Sequence, residues 1–168
     1  MVTSDSNFNS VTKSLDSLVG FETKKALSLS NDGIVHGFRD KFEEILSYEI
    51  DFVFGNRDEA LALTGTNNID DAIGALKEKD FTTIITDGPN GSFIITGGDI
   101  IKNNGLEVEA IDTNGAGDMF AGAFMHAMLN GKKLHECGAF ANLAASKIVQ
   151  TFGPRLKKEE YQNLLENL

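Results

Sequence analysis

The residues best suited to chemistry lie in one short segment, Asp112-Thr113-Asn114-Gly115-Ala116-Gly117-Asp118. The segment joins a predicted strand to a predicted helix, so the N–H groups of Gly115, Ala116 and Gly117 are expected to converge at the positive end of that helix. Small residues there leave room for a phosphoryl group to approach the backbone. Asp118, at the helix start, is placed to accept a proton from an attacking hydroxyl. The segment therefore predicts an anion site with a general base beside it.

Asp118 also has a purely structural interpretation, as the N-terminal cap of the same helix, which contributes about 1 kcal/mol to stability. Taken alone, Asp118 favours the cap. The segment is not a Walker loop, because no Gly-Lys-Ser/Thr follows, and it lacks the third glycine of a dinucleotide-binding loop. A nicotinamide-dependent dehydrogenase is disfavoured for the second reason.

The segment reads D-T-x-G-A-G-D and is similar to the signature of the PfkB, or ribokinase-like, family of carbohydrate kinases. Further stretches resemble successive motifs of that family in the expected order: K-A-L-S-L-S at 25–30, F-G-N-R-D-E-A at 54–60, T-D-G-P-N-G-S at 86–92 and A-F-A-N-L-A-A at 139–145. With T-F-G-P-R at 151–155, their wording is most similar to the adenosine-kinase-like branch. The resemblance covers nearly the whole chain.

The resemblance implies a three-layer α/β/α fold with a mostly parallel sheet, truncated at its N-terminal side. It also implies ATP and Mg²⁺ as cofactors. By resemblance, Asp118 is the catalytic base, and the backbone of Gly115, Ala116 and Gly117 is the anion hole that stabilises charge on the transferred phosphoryl group.

Asn56 and Glu59 match the family's N-x-x-E motif, which the resemblance associates with phosphate positioning and with Mg²⁺ held by Glu59 through water. An Asn followed three residues later by Glu also forms a capping box at a helix start. Both roles can hold together, because a helix start is where a hydrated Mg²⁺ near phosphates would be organised.

Thr86, Gly88 and Gly91 match the family's loop on the ATP side, where glycines let the backbone approach the ligand. The alternative is a simple hairpin turn around Asn90-Gly91. Asn142 resembles the family residue that flanks the nucleotide base or ribose, and a hydrogen-bonded core Asn is its alternative.

The rest of the sequence alternates short apolar runs with helical periodicity. Strands are predicted at 25–30, 51–54, 82–86, 92–96, 100–101 and 106–110. Helices are predicted at 8–18, 38–46, 57–63, 69–76, 119–129, 134–150 and 157–165. This alternation predicts a mostly parallel sheet covered by helices.

The composition limits the partners. Fifteen Lys plus Arg against 25 Asp plus Glu give a net charge of −10, which disfavours nucleic acid. A phosphorylated ligand must then be held mainly by backbone N–H groups, helix termini and a metal ion. The histidines have no metal-ligand spacing, and Cys137 is the single cysteine. No apolar run approaches the roughly 20 residues of a membrane span, so we expect a cytoplasmic protein without a membrane partner.

The 168 residues fit one domain and resemble the C-terminal, nucleotide-binding and catalytic portion of the family. The lid, the N-terminal Gly-Gly motif and the acidic residue that grips the acceptor have no counterpart. Ser30-Asn31-Asp32-Gly33 stands where the branch usually reads Ser-Asp-Pro-Phe. A sheet without its first strands exposes an apolar edge, so we expect a homo-oligomer or association with a missing N-terminal half.

The expected function is ATP-dependent phosphoryl transfer to a primary hydroxyl of a sugar or nucleoside. The alternative is a catalytically silent nucleotide-binding or assembly module derived from such a kinase. Adenosine-like acceptors are favoured by the motif wording, and ribose, fructose and related sugars stay open.

Overall fold

A computed structural model describes residues 4–168. Its helices are α1 Asp5–Asp16, α2 Asp32–Gly37, α3 Arg39–Leu46, α4 Arg57–Thr64, α5 Ile69–Lys77, α6 Ala116–Leu129, α7 Leu134–Ile148 and α8 Lys158–Leu165. Its strands are β1 Ala26–Ser28, β2 Phe52–Asn56, β3 Thr82–Thr86, β4 Ser92–Thr96 and β5 Asp99–Asn103. None of the helices within residues 4–168 combines the length and the apolar character needed to cross a membrane.

The strands form one sheet in the order β1-β2-β3-β4-β5. β1 and β2 run parallel, with Leu27 opposite Val53. The short connections from β3 to β4 and from β4 to β5 are of the kind that joins antiparallel neighbours. The result is a mixed, mostly parallel sheet flanked by helices, which confirms the predicted fold class.

The chain divides into two compact units. Unit 1 comprises the described residues up to Ile85 together with Ile95–Asp99, and unit 2 comprises Thr86–Ile94 and Ile100–Leu168. In unit 1, α4 packs against α2 and α5. Val35 from α2, Leu63 from α4 and Leu76 from α5 are buried there.

Unit 2 is built around α6 and α7, which pack against each other. Phe120 and Phe124 of α6 are buried and their rings stack with centroids 6.4 Å apart. Ala144 and Ile148 of α7 are buried as well. This packing fixes α6 in place, and its first turn contains the last residues of the predicted anion loop at 112–118.

Two segments differ from the sequence-based prediction. The alternation at 106–110 predicts a strand, but the structure has no strand there, because among the described residues its backbone has no neighbouring strand to pair with. Leu106, Val108 and Ala110 line a cavity instead. The sequence pattern predicts no helix at Asp32, but this stretch forms the short helix α2. The Asn31 side-chain oxygen caps that helix by accepting a hydrogen bond from the Ile34 N–H at 3.0 Å.

Candidate active site

A cavity of about 280 Å³ in unit 2 collects most of the residues that the sequence assigned to the nucleotide. The members of that set are Thr86, Gly88, Gly91 and Asn142. Ala116 and Gly117, from the predicted anion loop, line the same cavity. Residues far apart in the chain are thus brought to one place, next to the first turn of α6.

The apolar wall of this cavity was missed by the sequence analysis. Leu106, Val108 and Ala110 contribute to it, together with Phe120 and Val149. The period-two alternation at 106–110 was the available signal, but it indicates an exposed strand and a ligand-facing segment equally well. A concave, mainly apolar wall with a few polar groups is typical of small-molecule sites.

Glycines allow two chain segments to touch beside this cavity. Gly91 has φ 99°, and a Cβ there would overlap the Asn103 carbonyl oxygen. A Cβ on Gly105 would in turn overlap the Pro89 carbonyl oxygen. Gly88 also has positive φ, 54°, but a Cβ there would meet open space. The contact therefore requires glycine at 91 and 105, whereas position 88 requires it only for its backbone conformation.

The hairpin expected around Asn90-Gly91 is present, but its turn is longer than two residues. Gly88–Asn90 forms a 3₁₀ turn in which the Asn90 N–H donates to the Asp87 carbonyl at 3.0 Å. The Asp87 N–H donates to the Gly91 carbonyl at 2.8 Å and closes the hairpin. The turn of this hairpin is thus also one wall of the cavity.

Asn142 is a hydrogen-bonded core residue, which is one of the two interpretations that the sequence left open. Its side-chain Nδ2 donates to the carbonyl oxygen of Asn104 at 3.1 Å and to that of Asn103 at 3.4 Å. The residue is 7 % exposed and borders the cavity. Asn142 therefore ties the segment after β5 to α7, and this tie holds one wall of the cavity.

The first turn of α6 has no side-chain cap. Gly115, with φ 80°, occupies the N-cap position, so the interpretation of Asp118 as the cap is wrong. Asp118 is the third residue of the helix and is exposed. Within residues 4–168 its side chain has no hydrogen-bond or ion-pair partner, which leaves the carboxylate accessible.

The backbone donors of this turn are partly occupied. The Ala116 N–H donates to the Thr113 carbonyl at 3.2 Å. Among the described residues, no acceptor is found for the N–H groups of Gly115, Gly117 and Asp118. Free donors at the positive end of a helix are suited to an anion.

Asp112 holds the predicted anion loop in shape and was not among the site residues predicted from the sequence. Its Oδ1 accepts a hydrogen bond from the Asn114 N–H and its Oδ2 accepts one from the Gly153 N–H, both at 3.0 Å. These backbone hydrogen bonds lower the pKa of Asp112. A Cβ built on Gly115 would lie 2.8 Å from the Pro154 Cβ, so the loop also rests on the segment that contains Gly153.

A second cavity of unit 2, of about 480 Å³, is lined by Gly115 and Asp118. Met119, Phe140 and Leu164 form part of its apolar floor, and Arg155 also lines it. The first turn of α6 therefore borders both cavities, because Ala116 and Gly117 line one and Gly115 and Asp118 line the other.

In unit 1, Asn56 and Glu59 form the complete capping box of α4. The Glu59 N–H donates to Asn56 Oδ1, the Asn56 N–H donates to Glu59 Oε2, and Asn56 Nδ2 donates to Glu59 Oε1, each at 2.9 Å. Glu59 is buried, and this burial raises its pKa. The charges of Asp32 and Asp58 add to that rise, and the hydrogen bond from the Asn56 backbone opposes it.

Both oxygens of Glu59 are engaged, so the residue fits a cation held through water better than one bound directly. In the part of the chain that the structure describes, no three His, Cys, Asp or Glu side chains are grouped so as to hold a metal ion. Mg²⁺ usually keeps several waters and binds one or two carboxylates plus substrate phosphates. The residues present therefore fit Mg²⁺ only as a companion of a phosphorylated ligand.

A sequence profile of the pfkB family carbohydrate kinases matches residues 17–160. The chain belongs to the pfkB family. A nucleoside kinase from Methanothermobacter thermautotrophicus is 32 % identical over 158 residues, which are 91 % of this chain and 48 % of that protein. An adenosine kinase from Dictyostelium discoideum is 28 % identical over 141 residues, 76 % of this chain and 41 % of the relative.

Solved structures of pfkB-type kinases share the fold. The crystal structure of an adenosine kinase from Sinorhizobium meliloti superposes with a TM-score of 0.87 and 29 % identity, covering 95 % of this chain and 49 % of that one. The predicted resemblance to the ribokinase-like fold and to adenosine kinases is confirmed. The chain spans about half the length of the relatives it matches. The roles of individual residues stay predictions.

Proposed function

We propose that this pfkB-family chain carries the nucleotide-binding and catalytic portion of a kinase that transfers the γ-phosphoryl group of ATP to a hydroxyl of a sugar or nucleoside. One observation carries the proposal. The predicted nucleotide residues Thr86, Gly88, Gly91 and Asn142 line a single cavity, and that cavity reaches the uncapped first turn of α6.

The cavity suggests how the nucleotide would lie. The apolar side chains of Leu106, Val108 and Ala110 suit the flat face of a base. The free N–H groups of Gly115 and Gly117 suit the phosphates, because backbone donors at a helix N-terminus bind anions without a basic patch. This arrangement agrees with a chain whose net charge is −10.

Asp118 is the proposed base. It accepts the proton of the acceptor hydroxyl while the hydroxyl oxygen forms a bond to the γ-phosphorus and the bond from that phosphorus to the leaving ADP oxygen breaks. The exposed carboxylate has no partner among residues 4–168, so it is free to receive that proton. Mg²⁺ would neutralise charge on the phosphate oxygens. The family resemblance makes Glu59 the residue proposed to hold a hydrated Mg²⁺.

The proposed acceptor is a nucleoside or a sugar with a primary hydroxyl, since the relatives include an adenosine kinase and a nucleoside kinase. We further propose that the chain works in association with a second copy or with a polypeptide that supplies the rest of the family fold. β1 is an outer strand of the sheet, and a free strand edge favours such pairing.

We propose the cytoplasm as the location of the protein. Cys137 is buried and forms no disulfide, which suits a reducing compartment.

The test is calorimetric titration of the chain with a non-hydrolysable ATP analogue, with and without Mg²⁺, alongside a phosphotransfer assay on adenosine and ribose. We expect Mg²⁺-dependent binding. Turnover with either acceptor supports a complete kinase. Binding without turnover supports a separate nucleotide-binding portion or a silent module, and absence of binding contradicts the proposal.

A further inference from the structure

Arg155 lies next to the anion loop because the two residues before it are docked there. The Gly153 N–H donates to Asp112 Oδ2 at 3.0 Å. Pro154 packs against Gly115, where a Cβ would approach the proline Cβ to 2.8 Å. Asp112 and Gly115 are both part of the anion loop, so the start of the Arg155 side chain is held beside that loop.

Arg155 borders the same space as Asp118, since both residues line the cavity of about 480 Å³. Arg155 is exposed, and among residues 4–168 it has no hydrogen-bond or ion-pair partner. The chain has 25 acidic against 15 basic residues, so carboxylates are in excess over cations. A guanidinium that has no partner within residues 4–168, on a residue that lines the same cavity as the first turn of α6, remains available to an anionic ligand.

Arg155 is also the one Lys or Arg among the described residues that line either cavity at the first turn of α6. Backbone N–H groups supply only the partial positive charge of a helix terminus. A nucleoside triphosphate carries more negative charge than a diphosphate, and the planar guanidinium matches phosphate oxygens in a two-point contact. A cation at this position therefore matters most for the terminal phosphate.

We propose that Arg155 binds the terminal phosphate of the nucleoside triphosphate and so makes the site prefer the triphosphate over the diphosphate. The inference rests on the proposed function and adds a residue that the sequence motifs did not assign. Once the phosphoryl group has been transferred, the contact is lost, which favours release of the diphosphate.

The test compares the affinity of the full chain for ADP with its affinity for the β,γ-imido analogue of ATP, by calorimetry with Mg²⁺ present. We expect R155Q to reduce the preference for the triphosphate about tenfold or more, with ADP affinity nearly unchanged. R155K should keep part of the preference, because it retains the charge but not the fork geometry. The matched control is K158Q, which removes one positive charge from an exposed residue that lines neither cavity.

An unchanged ratio of the two affinities in R155Q overturns the Arg155 proposal and leaves the proposed function standing. Absence of any nucleotide binding by the wild type contradicts both. A third arm titrates ribose 5-phosphate, as a probe for an acceptor that carries its own phosphate. If R155Q weakens only that interaction, Arg155 recognises an anionic acceptor and the proposal is wrong. Circular dichroism of each variant confirms that the fold is kept.

Discussion

Two helices of this protein begin at a segment that the sequence analysis marked for chemistry, and they begin in opposite ways. α4 starts with a complete capping box in which Asn56 and Glu59 satisfy each other's donors. α6 starts at Gly115 without any side-chain cap, and within residues 4–168 no acceptor is found for the N–H groups of Gly117 and Asp118. A capped start gains stability from its own side chains, whereas an uncapped start keeps its donors for a ligand.

The carboxylates near these two helix starts, Glu59 and Asp112, have pKa values shifted in opposite directions. Glu59 is buried close to Asp32 and Asp58, and its pKa is raised, with burial as the main cause. Asp112 accepts hydrogen bonds from two backbone N–H groups, and these hydrogen bonds are the main cause of its lowered pKa. The first carboxylate is a stability element with a burial cost, and the second is an ionised clamp on the anion loop.

The largest expected effect comes from Asp118. Asp118→Asn should reduce the rate of phosphoryl transfer about a thousandfold while nucleotide affinity changes only a few-fold, because the base acts on the acceptor and not on ATP. Steady-state kinetics and calorimetry of the same preparations measure the two quantities. Asp70→Asn, in the first turn of α5, is the control and should leave both unchanged. Full turnover in Asp118→Asn removes Asp118 as the base.

Alanine substitutions at the two N-cap positions, Gly115 of α6 and Asn56 of α4, test the contrast between the uncapped and the capped helix start. Gly115→Ala should lower the free energy of unfolding by about 2 kcal/mol or more, because φ is 80° and the new Cβ meets Pro154. Nucleotide affinity should fall as well, since the loop has to shift. Urea unfolding and calorimetry report the two effects, and a variant as stable as the wild type contradicts the described contact.

Asn56→Ala should lower the free energy of unfolding by about 1 kcal/mol, because the Glu59 N–H loses its acceptor. Asn68→Ala removes the matching cap of α5, where the Asp71 N–H donates to Asn68 Oδ1 at 2.9 Å, and serves as the control. If Asn56→Ala and Asn68→Ala lose the same stability and both keep wild-type catalysis, Asn56 has a structural role alone. A selective loss of Mg²⁺-dependent nucleotide binding in Asn56→Ala supports the proposed second role.

Gly117→Ala should stabilise the fold by about 0.5–1 kcal/mol, because alanine suits a helix better than glycine and a Cβ there meets nothing within 4 Å. The methyl group would enter the nucleotide cavity, so ATP-analogue affinity should fall. Gly74→Ala in α5 is the control, expected to stabilise without changing affinity. Unchanged affinity in Gly117→Ala would show that phosphate does not approach this turn.

The smallest effect is on the pH dependence of stability. The pKa of Glu59 is raised on folding, so the native state binds more protons, and stability should fall as pH rises from about the unfolded value of 4.5 through the raised pKa. Glu59→Gln should remove that slope. Asp112 has a lowered pKa, so its contribution is present above the unfolded value of 3.8 and is lost as pH falls through the lowered pKa. Urea unfolding midpoints measured between pH 3 and pH 7 separate the pH dependence of stability due to Glu59 from that due to Asp112.

Local patterns accounted for most of the secondary structure. The strand at Thr82–Thr86 and the helices beginning at Arg57 and Ile69 lie where periodicity and capping residues predicted them. The exceptions have local causes of their own. α2 depends on a single cap at Asn31, and the stretch at 106–110 has strand periodicity without a strand partner.

The sequence by itself determined the family, and it predicted the anion loop at 112–118 and four residues that line one cavity, because those depend on residue types at short, fixed spacings. Only the tertiary structure decided that Asp112 bonds to Gly153, that Asn142 holds the segment after β5, and that Arg155 shares a cavity with Asp118. Each of these contacts joins residues tens of positions apart. Their geometry follows from how whole helices and loops pack, and no short-range pattern encodes it.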